Sequence, residues 1–204
     1  MSAGNTSRRM LALVVSIGNQ EPYFDCLHSA GHFALAAAQR ALYPSQPQLA
    51  SHRYGKKACV ASPGDPYTMI QSPRMMNNCG PWVRATWRQM LEEHQLSPHE
   101  LAFVLVHDEL EAPFGTVKIR NWESSHKGHN GVKSVQKSLD IPHAPNHLWS
   151  RITVGIGRPL ERTPEVVSDY VLRKMSSYQQ KTIDTEVGPK VIHCLRELED
   201  EWRK

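Results

Sequence analysis

Two nearly continuous apolar runs, Met10–Ile17 and Leu101–Val106, constrain the fold of this chain more than any other feature. Apolar runs of this length, without polar alternation, are typical of strands that are covered on both faces of a sheet. Each run ends abruptly in polar residues, at Gly18-Asn19-Gln20 and at His107-Asp108-Glu109. Because ligands bind at the carboxyl ends of strands in open α/β sheets, we expect a site where these two strand ends meet.

The rest of the chain alternates between helical and strand patterns. Apolar spacing predicts helices over 27–43, 81–95, 130–139 and 164–171, then a C-terminal helix with a capping box at Ser177–Gln180 and a kink or break at Pro189. Further strands are predicted over 52–61, 66–72, 116–120 and 148–157. Since the 204 residues show no internal repeat or long linker, we expect one three-layer α/β domain over 10–204, a twisted mixed β-sheet flanked by helices, after a flexible segment 1–9.

Composition narrows the class of protein. Hydrophobic content of 40% and charged content of 22% are ordinary for a globular domain, and the net charge of +4 leans mildly towards a polyanionic partner. The four cysteines are widely spaced without a CxxC pair, which argues against a zinc module and suits a reducing compartment. We expect no membrane segment and no secretory signal. The Arg- and Ser-containing start leaves a mitochondrial location open beside the cytosol.

Polar side chains collect at the predicted strand ends and at one helix start. They are Asn19 with nearby His28, Asn77, Asp108, and His129 with Asn130. If these segments converge, they supply a base, a group that orients it and several amide donors. The chain has no Ser or Cys at a nucleophile elbow, no GxGxxG, no Walker loop and no HExxH, so the set favours direct attack by water. Taken singly, His28 is more typical of a satisfied first-turn histidine, and Asp108 of a turn cap.

Six segments, in a fixed order, carry a resemblance to a known family. They are Ser16–Gln20, Tyr23–Gly31, Met75–Gly80, His107–Gly115, Gly128–Lys133 and Thr153–Pro159. HDELEAPFG corresponds to the pattern H-D-E-L-D-L-P-x-G, GHNGVK to G-H-N-G-L-K, and TVGIGRP to R-I-G-I-G-x-P. With these motifs the chain, over roughly residues 10–200, resembles the bacterial-type peptidyl-tRNA hydrolases.

The resemblance implies a hydrolase that cleaves the ester between a peptide and the 3′ adenosine of tRNA, without a metal or other cofactor. His28 matches the catalytic base and Asp108 the residue that orients it. Asn19, Asn77 and Asn130 match amides that bind the peptide backbone, position the water and help to stabilise the oxyanion. His129 matches a position beside the cleft.

The resemblance also implies contacts with the acceptor stem and 3′ end of tRNA. Further substrate-binding positions carried over are Tyr23, Lys118, Arg120, Lys133, Arg158 and Arg162. A solvated basic face explains these cations nearly as well. The chain departs from the family in the loop Gln20–Ser29, in the bulkier Trp122–Lys127 loop, and at Thr153, where the family has a basic residue and this chain has Arg151 two positions earlier.

Two other functions remain open from sequence alone. One is that of a catalytically inactive RNA-binding protein, like the plant-organelle relatives of the same fold that serve RNA splicing. An unrelated small-ester hydrolase would show no salt dependence in substrate binding. We expect a monomer, as in the family.

Overall fold

The computed structural model describes residues 10–141 and 143–204, so the predicted flexible segment 1–9 lies outside the described residues. Seven strands form one mixed sheet in the order β2-β3-β4-β1-β5-β7-β6. Their bounds are Leu11–Ser16 (β1), Ala50–Tyr54 (β2), Lys57–Pro63 (β3), Tyr67–Gln71 (β4), Leu101–Glu109 (β5), Val117–Asn121 (β6) and Trp149–Gly155 (β7).

The two apolar runs form the adjacent central strands β1 and β5, as predicted. Val14 pairs with Val104 in parallel register, and both side chains are fully buried. β4 and β7 extend the parallel sheet on either side, while β2, β3 and β6 run antiparallel to their neighbours. β5 continues past the apolar run, so that His107 and Asp108 are still strand residues when they reach the carboxyl edge of the sheet.

Helices cover the sheet as expected for a three-layer α/β domain. They are Ala30–Leu42 (α1), Gly80–His94 (α2), Asn130–Leu139 (α3), Pro164–Leu172 (α4), Ser177–Thr182 (α5) and Gly188–Trp202 (α6). Because connections between parallel strands are almost always right-handed, the connections from β1 to β4 and back from β4 to β5 favour α1 and α2 on opposite faces of the sheet. α6 packs against α1, and α3 packs against α2. Among the described residues, no helix has the length and apolar content that a membrane span requires.

Two local predictions were wrong in detail. The segment predicted as one strand over 52–61 is a hairpin of β2 and β3, turned at Gly55 and Lys56 with φ of +53° and +63°. A two-residue turn of type I′ needs positive φ at both positions, and Gly-Lys is a weaker signal for it than Asn-Gly. The capping box of the C-terminal helix lies at Ser176 and Gln179, one residue before the predicted position.

Pro189 divides the C-terminal helix, which confirms the predicted break. α5 passes through a π-helical stretch, Ile183–Val187, before α6 begins at Gly188. Pro189 therefore lies in the first turn of α6, where its missing N–H leaves no helical hydrogen bond unmade.

Gly31 fixes how closely the start of α1 approaches the two central strands. A Cβ atom built on Gly31 would lie 2.7 Å from the carbonyl oxygen of Val106 and 2.9 Å from that of Ile17. We expect Gly31→Ala to lower the free energy of unfolding by about 1–3 kcal/mol, as overpacked core sites do. Urea denaturation measures this directly. If only helix propensity mattered, Gly31→Ala would raise the free energy of unfolding by up to about 1 kcal/mol. A measured increase would therefore contradict the close approach of α1 to the strands.

Candidate active site

A cleft of about 570 Å³ lies at the carboxyl ends of β1 and β5, where the sequence predicts a site. Its lining includes Asn19, His28, Asn77, Asp108, His129 and Asn130. Six predicted site residues from five separate segments are thus brought together. The convergence follows from the parallel pairing of β1 with β5, since both strands then deliver their polar ends to the same edge of the sheet.

Asp108 is the electrostatic centre of the cleft. Its side chain, 3% exposed, accepts hydrogen bonds from two imidazoles. His28 Nδ1 lies 2.9 Å from both carboxylate oxygens, and His129 Nε2 lies 3.0 Å from Oδ1. Burial alone would raise the pKa of Asp108, but the two histidines hold it well below its usual range. Asp108 is therefore a carboxylate at neutral pH.

One ring nitrogen of His28 is hydrogen-bonded to Asp108, and the other can accept a proton. It lies in the short 3₁₀ turn Leu27–Ser29 before α1, and its side chain is 21% exposed. Because an ionised carboxylate only accepts, Nδ1 carries the proton and Nε2 of the neutral ring holds a lone pair. Burial lowers the pKa of His28, but the charge and hydrogen bond of Asp108 outweigh it, and the net shift is upward from 6.5.

The altered loop before His28 still delivers the ring to Asp108. The Ser29 hydroxyl accepts from the Asn19 backbone N–H at 2.9 Å, and Asn19 Nδ2 donates to the Cys26 sulfur at 3.4 Å. A β-bridge joins Cys26 to Lys174, beyond the end of α4. These contacts tie the loop to both sides of the 3₁₀ turn that carries His28.

The other two predicted amides stand at the cleft rim. Asn77 lies in the 3₁₀ turn Met76–Asn78 and Asn130 is the first residue of α3; both are exposed and line the cleft. Exposed amides with free donors and acceptors can bind a peptide carbonyl or N–H.

An apolar wall completes the cleft and was not anticipated from sequence. Met75 and Met76 line one side, and Val167, Val171 and Leu172 of α4 line another. In the sequence, the feature that corresponds to this wall is the apolar stripe of α4, a helix none of whose residues is completely buried. Such a wall suits the side chains of a peptide and excludes bulk water from the reacting group.

Arg151 is a further cleft residue whose role the sequence did not show. It is buried on β7, and its Nη2 donates to the carbonyl oxygen of Ser124 at 2.7 Å. It thereby supports the Trp122–Lys127 loop, together with Gln136, which donates to the carbonyl of Trp122 at 2.6 Å. Burial lowers the pKa of the Arg151 guanidinium, with Glu109 opposing and Arg120 adding to that shift.

The predicted RNA-contacting cations occupy different places. Lys118 and Arg120 project from β6 on the same face as Arg151, because Arg120 pairs directly with Arg151 across the antiparallel strands. Lys133 is exposed on α3 and Arg162 in the loop before α4. Arg158 is ion-paired with Glu111, which lines the cleft. The described residues that line the cleft do not include Tyr23, which is half exposed in the loop before His28.

The candidate nucleophile near the cleft and the candidate metal ligands within it are already engaged. Burial raises the pKa of the Cys79 thiol to about 12, so this cysteine is a packed, unreactive group. His28, Asp108 and His129 offer ligand atoms within 4.8 Å of one another, close enough to bind a metal ion. A cation there would have to displace the hydrogen bonds that join these three side chains.

Two buried histidines make stability depend on pH. Burial lowers the pKa of His32 and of His107 to about 3, whereas the unfolded chain takes up their protons near pH 6.5. Between those pH values the unfolded state binds more protons, so stability falls as pH falls. We expect a loss of roughly 2 kcal/mol in unfolding free energy from pH 6 to pH 5. His28, with its raised pKa, stabilises fully below 6.5 and adds no slope in this window.

Urea denaturation across this pH range measures the effect, and His32→Gln should remove about half of the pH-dependent loss. An unfolding free energy that is constant between pH 6 and pH 5, within roughly 0.5 kcal/mol, would contradict the assignment of two neutral buried imidazoles.

Comparison of the sequence with known proteins identifies a family model and several relatives that match this chain. A family model described as peptidyl-tRNA hydrolase matches residues 13–202. The peptidyl-tRNA hydrolase of Aquifex aeolicus is 32% identical over 193 residues, which span 91% of this chain and 88% of that protein. A probable peptidyl-tRNA hydrolase of Schizosaccharomyces pombe is 37% identical over 133 residues. That match spans 65% of this chain and less than two thirds, 61%, of the yeast protein.

A solved structure shows the same fold. The crystal structure of peptidyl-tRNA hydrolase from Acinetobacter baumannii superposes with a TM-score of 0.63 at 20% sequence identity, covering 96% of this chain and 95% of that one. The α/β fold described above is therefore shared with that structure.

Proposed function

Because the chain belongs to the peptidyl-tRNA hydrolase family, we propose that it hydrolyses the ester between a peptide and the 3′ adenosine of tRNA. The observation that supports this most directly is the hydrogen-bonded pair of His28 and Asp108 at the floor of the cleft. An imidazole held by a carboxylate through one nitrogen is suited to take a proton from water with the other.

The reaction needs one water and no covalent intermediate on the protein. As the water oxygen bonds to the ester carbonyl carbon, its proton passes to Nε2 of His28. Asp108 keeps Nδ1 protonated and stabilises the imidazolium that forms. The tetrahedral oxyanion then collapses, the bond to the ribose 3′ oxygen breaks, and that oxygen takes the proton from His28. The products are a peptide with a free carboxylate and a tRNA with a free 3′ hydroxyl.

In this proposal the three asparagines position the water, stabilise the oxyanion and bind the peptide. Asn19 positions the water and helps to stabilise the oxyanion, a role supported by its place in the cleft lining with His28 and by the bond from its backbone N–H to Ser29, the residue after His28. Asn77 and Asn130, which belong to two segments packed against each other at the cleft, bind the peptide backbone. Asn77 follows the methionines of the apolar wall, so a peptide held by its amide would lay its side chains against that wall.

We assign the tRNA to the basic edge beside the cleft. Lys118 and Arg120 on β6 share a face that adjoins the cleft through Arg151, and Lys133 lies on α3 directly after the cleft residues His129 and Asn130. Cations in such a row attract the phosphates of an acceptor stem. Arg158 is a weaker candidate because Glu111 neutralises it. Arg162 and Tyr23 remain proposals that rest on the resemblance.

Release of free tRNA from a bulk peptidyl-tRNA pool tests the function. We expect the purified wild-type protein to release tRNA catalytically, and its affinity for tRNA to fall as salt rises. Binding of tRNA without release would favour the RNA-binding splicing relative. Release from small model esters with no salt dependence would favour an unrelated esterase.

We further propose a monomer in the cytosol, with the mitochondrion as the alternative. The four cysteines, all buried and free, are consistent with a reducing compartment.

A further inference from the structure

His129 lines the cleft and also contacts the carboxylate that orients His28. Its Nε2 lies 3.0 Å from Asp108 Oδ1, so the carboxylate serves two histidines at once. We propose that His129 is a positioning residue that acts through Asp108, where it competes with His28 for the carboxylate and so sets how basic His28 is. The effect on catalysis rests on the proposed function, but the competition itself does not.

The direction of the hydrogen bond follows from the helix that His129 caps. His129 is the N-cap of α3, and its Nδ1 accepts a hydrogen bond from the backbone N–H of Val132 at 3.3 Å. A neutral imidazole that accepts at Nδ1 carries its proton on Nε2. His129 therefore donates to Asp108, and α3 holds the ring in the tautomer that can do so.

The Asp108 carboxylate accepts hydrogen bonds from two donors. His129 occupies Oδ1, while His28 Nδ1 lies 2.9 Å from each of the two oxygens. A donor on a carboxylate reduces the potential that the carboxylate exerts on another partner. Loss of the His129 donor should therefore leave Asp108 more strongly attractive to a proton on His28.

Other ionisable groups face the same cluster and must stay constant in any test. His107 on β5 packs edge-on against His129, with ring centroids 4.9 Å apart, and donates from Nδ1 to the Asp108 carbonyl at 2.7 Å. The remaining charged or titratable residues that line the cleft come from β5, the loop after it, the loop before α3, and β7: Glu109, Glu111, His126, Lys127 and Arg151. None of these is changed by a substitution at His129.

Two substitutions separate the donor from the helix cap. His129→Asn keeps a capping oxygen near the position of Nδ1 but is too short to reach Asp108. His129→Gln places an amide N–H near the position of Nε2, so it keeps the donor and gives up the cap. A purely structural role for His129 would make the Gln variant the more perturbed of the two. The proposed role makes the Asn variant the more perturbed.

The measurement is an NMR titration of the His28 imidazole in the free protein, with His28→Ala used to assign its signal. We expect the midpoint to rise by about 0.5 pH unit or more in His129→Asn and to stay within about 0.2 of wild type in His129→Gln. The acid limb of the pH profile for peptidyl-tRNA hydrolysis should move by the same amount in the same variant, since the neutral imidazole is the base.

The outcomes are distinct. An unchanged or lowered midpoint in His129→Asn, or an equal change in both variants, would overturn the proposal. A raised midpoint in His129→Asn alone supports the competition at Asp108 even if the protein hydrolyses no peptidyl-tRNA, in which case the proposed function fails and the hydrogen-bond assignment stands. A pH profile that does not follow the NMR midpoint would overturn the link from His129 to catalysis.

Discussion

Replacing His28 with Ala should lower the single-turnover rate of peptidyl-tRNA hydrolysis by about 10²- to 10⁴-fold, the usual contribution of a positioned general base. The other imidazoles of the described cleft are not placed to take over. His107 is buried, and His129 uses both ring nitrogens in hydrogen bonds. His126 accepts from the Gly128 N–H at Nδ1 and so has no carboxylate to orient it there. The affinity for tRNA should be unchanged, because His28 lies at the floor of the cleft and away from the basic edge. Quench-flow with labelled peptidyl-tRNA gives the rate, and filter binding gives the affinity.

The matched control is His193→Ala, an exposed histidine on α6, which should hydrolyse at the wild-type rate. If His28→Ala retained activity within threefold of His193→Ala, roughly 0.7 kcal/mol in transition-state free energy, His28 would not be the base.

Replacing Asp108 with Asn should be nearly as damaging, with a loss of about 10²- to 10⁴-fold in the same assay. An amide can donate as well as accept, so it no longer requires the proton of His28 to sit on Nδ1. The pKa of His28 should also fall, because burial lowers it and the opposing charge of Asp108 is gone. The acid limb of the remaining activity should therefore move to lower pH, while the rate at its plateau is much reduced.

These two effects distinguish an orienting role from a purely electrostatic one. If Asp108 acted only by raising the pKa of His28, Asp108→Asn would keep its plateau rate above neutral pH, where the imidazole is neutral in either protein. A plateau within threefold of wild type would therefore contradict the orienting role, in which the tautomer must be fixed for the water to be deprotonated.

The centre of the fold was predictable because burial on both faces leaves a plain pattern. Val14 and Val104 belong to apolar runs typical of strands covered on both faces, and the polar ends of these runs indicate a candidate site that includes Asp108. The helix α1 is equally plain, although the predicted span 27–43 includes the 3₁₀ turn Leu27–Ser29 that carries His28. Which histidines reach Asp108 is a different matter, because that depends on the three-dimensional approach of α1 and α3 to the strand ends.

The parts that could not be predicted depend on contacts between distant segments. Arg151 reads as a basic strand residue, and only the fold shows it buried beneath the carbonyl of Ser124. His129 reads as a polar helix start, and only the parallel sheet brings it to Asp108 across 21 positions of sequence. The turn at Gly55 was missed for a local reason, since β2 and β3 are short strands with little apolar alternation to separate them.

The central claim is that a water held at His28 attacks the ester directly. The most direct test is a single turnover in H₂¹⁸O, followed by mass spectrometry of the peptide, the tRNA and the intact protein at successive quench times. The account predicts one ¹⁸O in the peptide carboxylate, none in the tRNA, and an unchanged protein mass throughout. A protein that carries the mass of the peptide during turnover, or label in the tRNA, would contradict it.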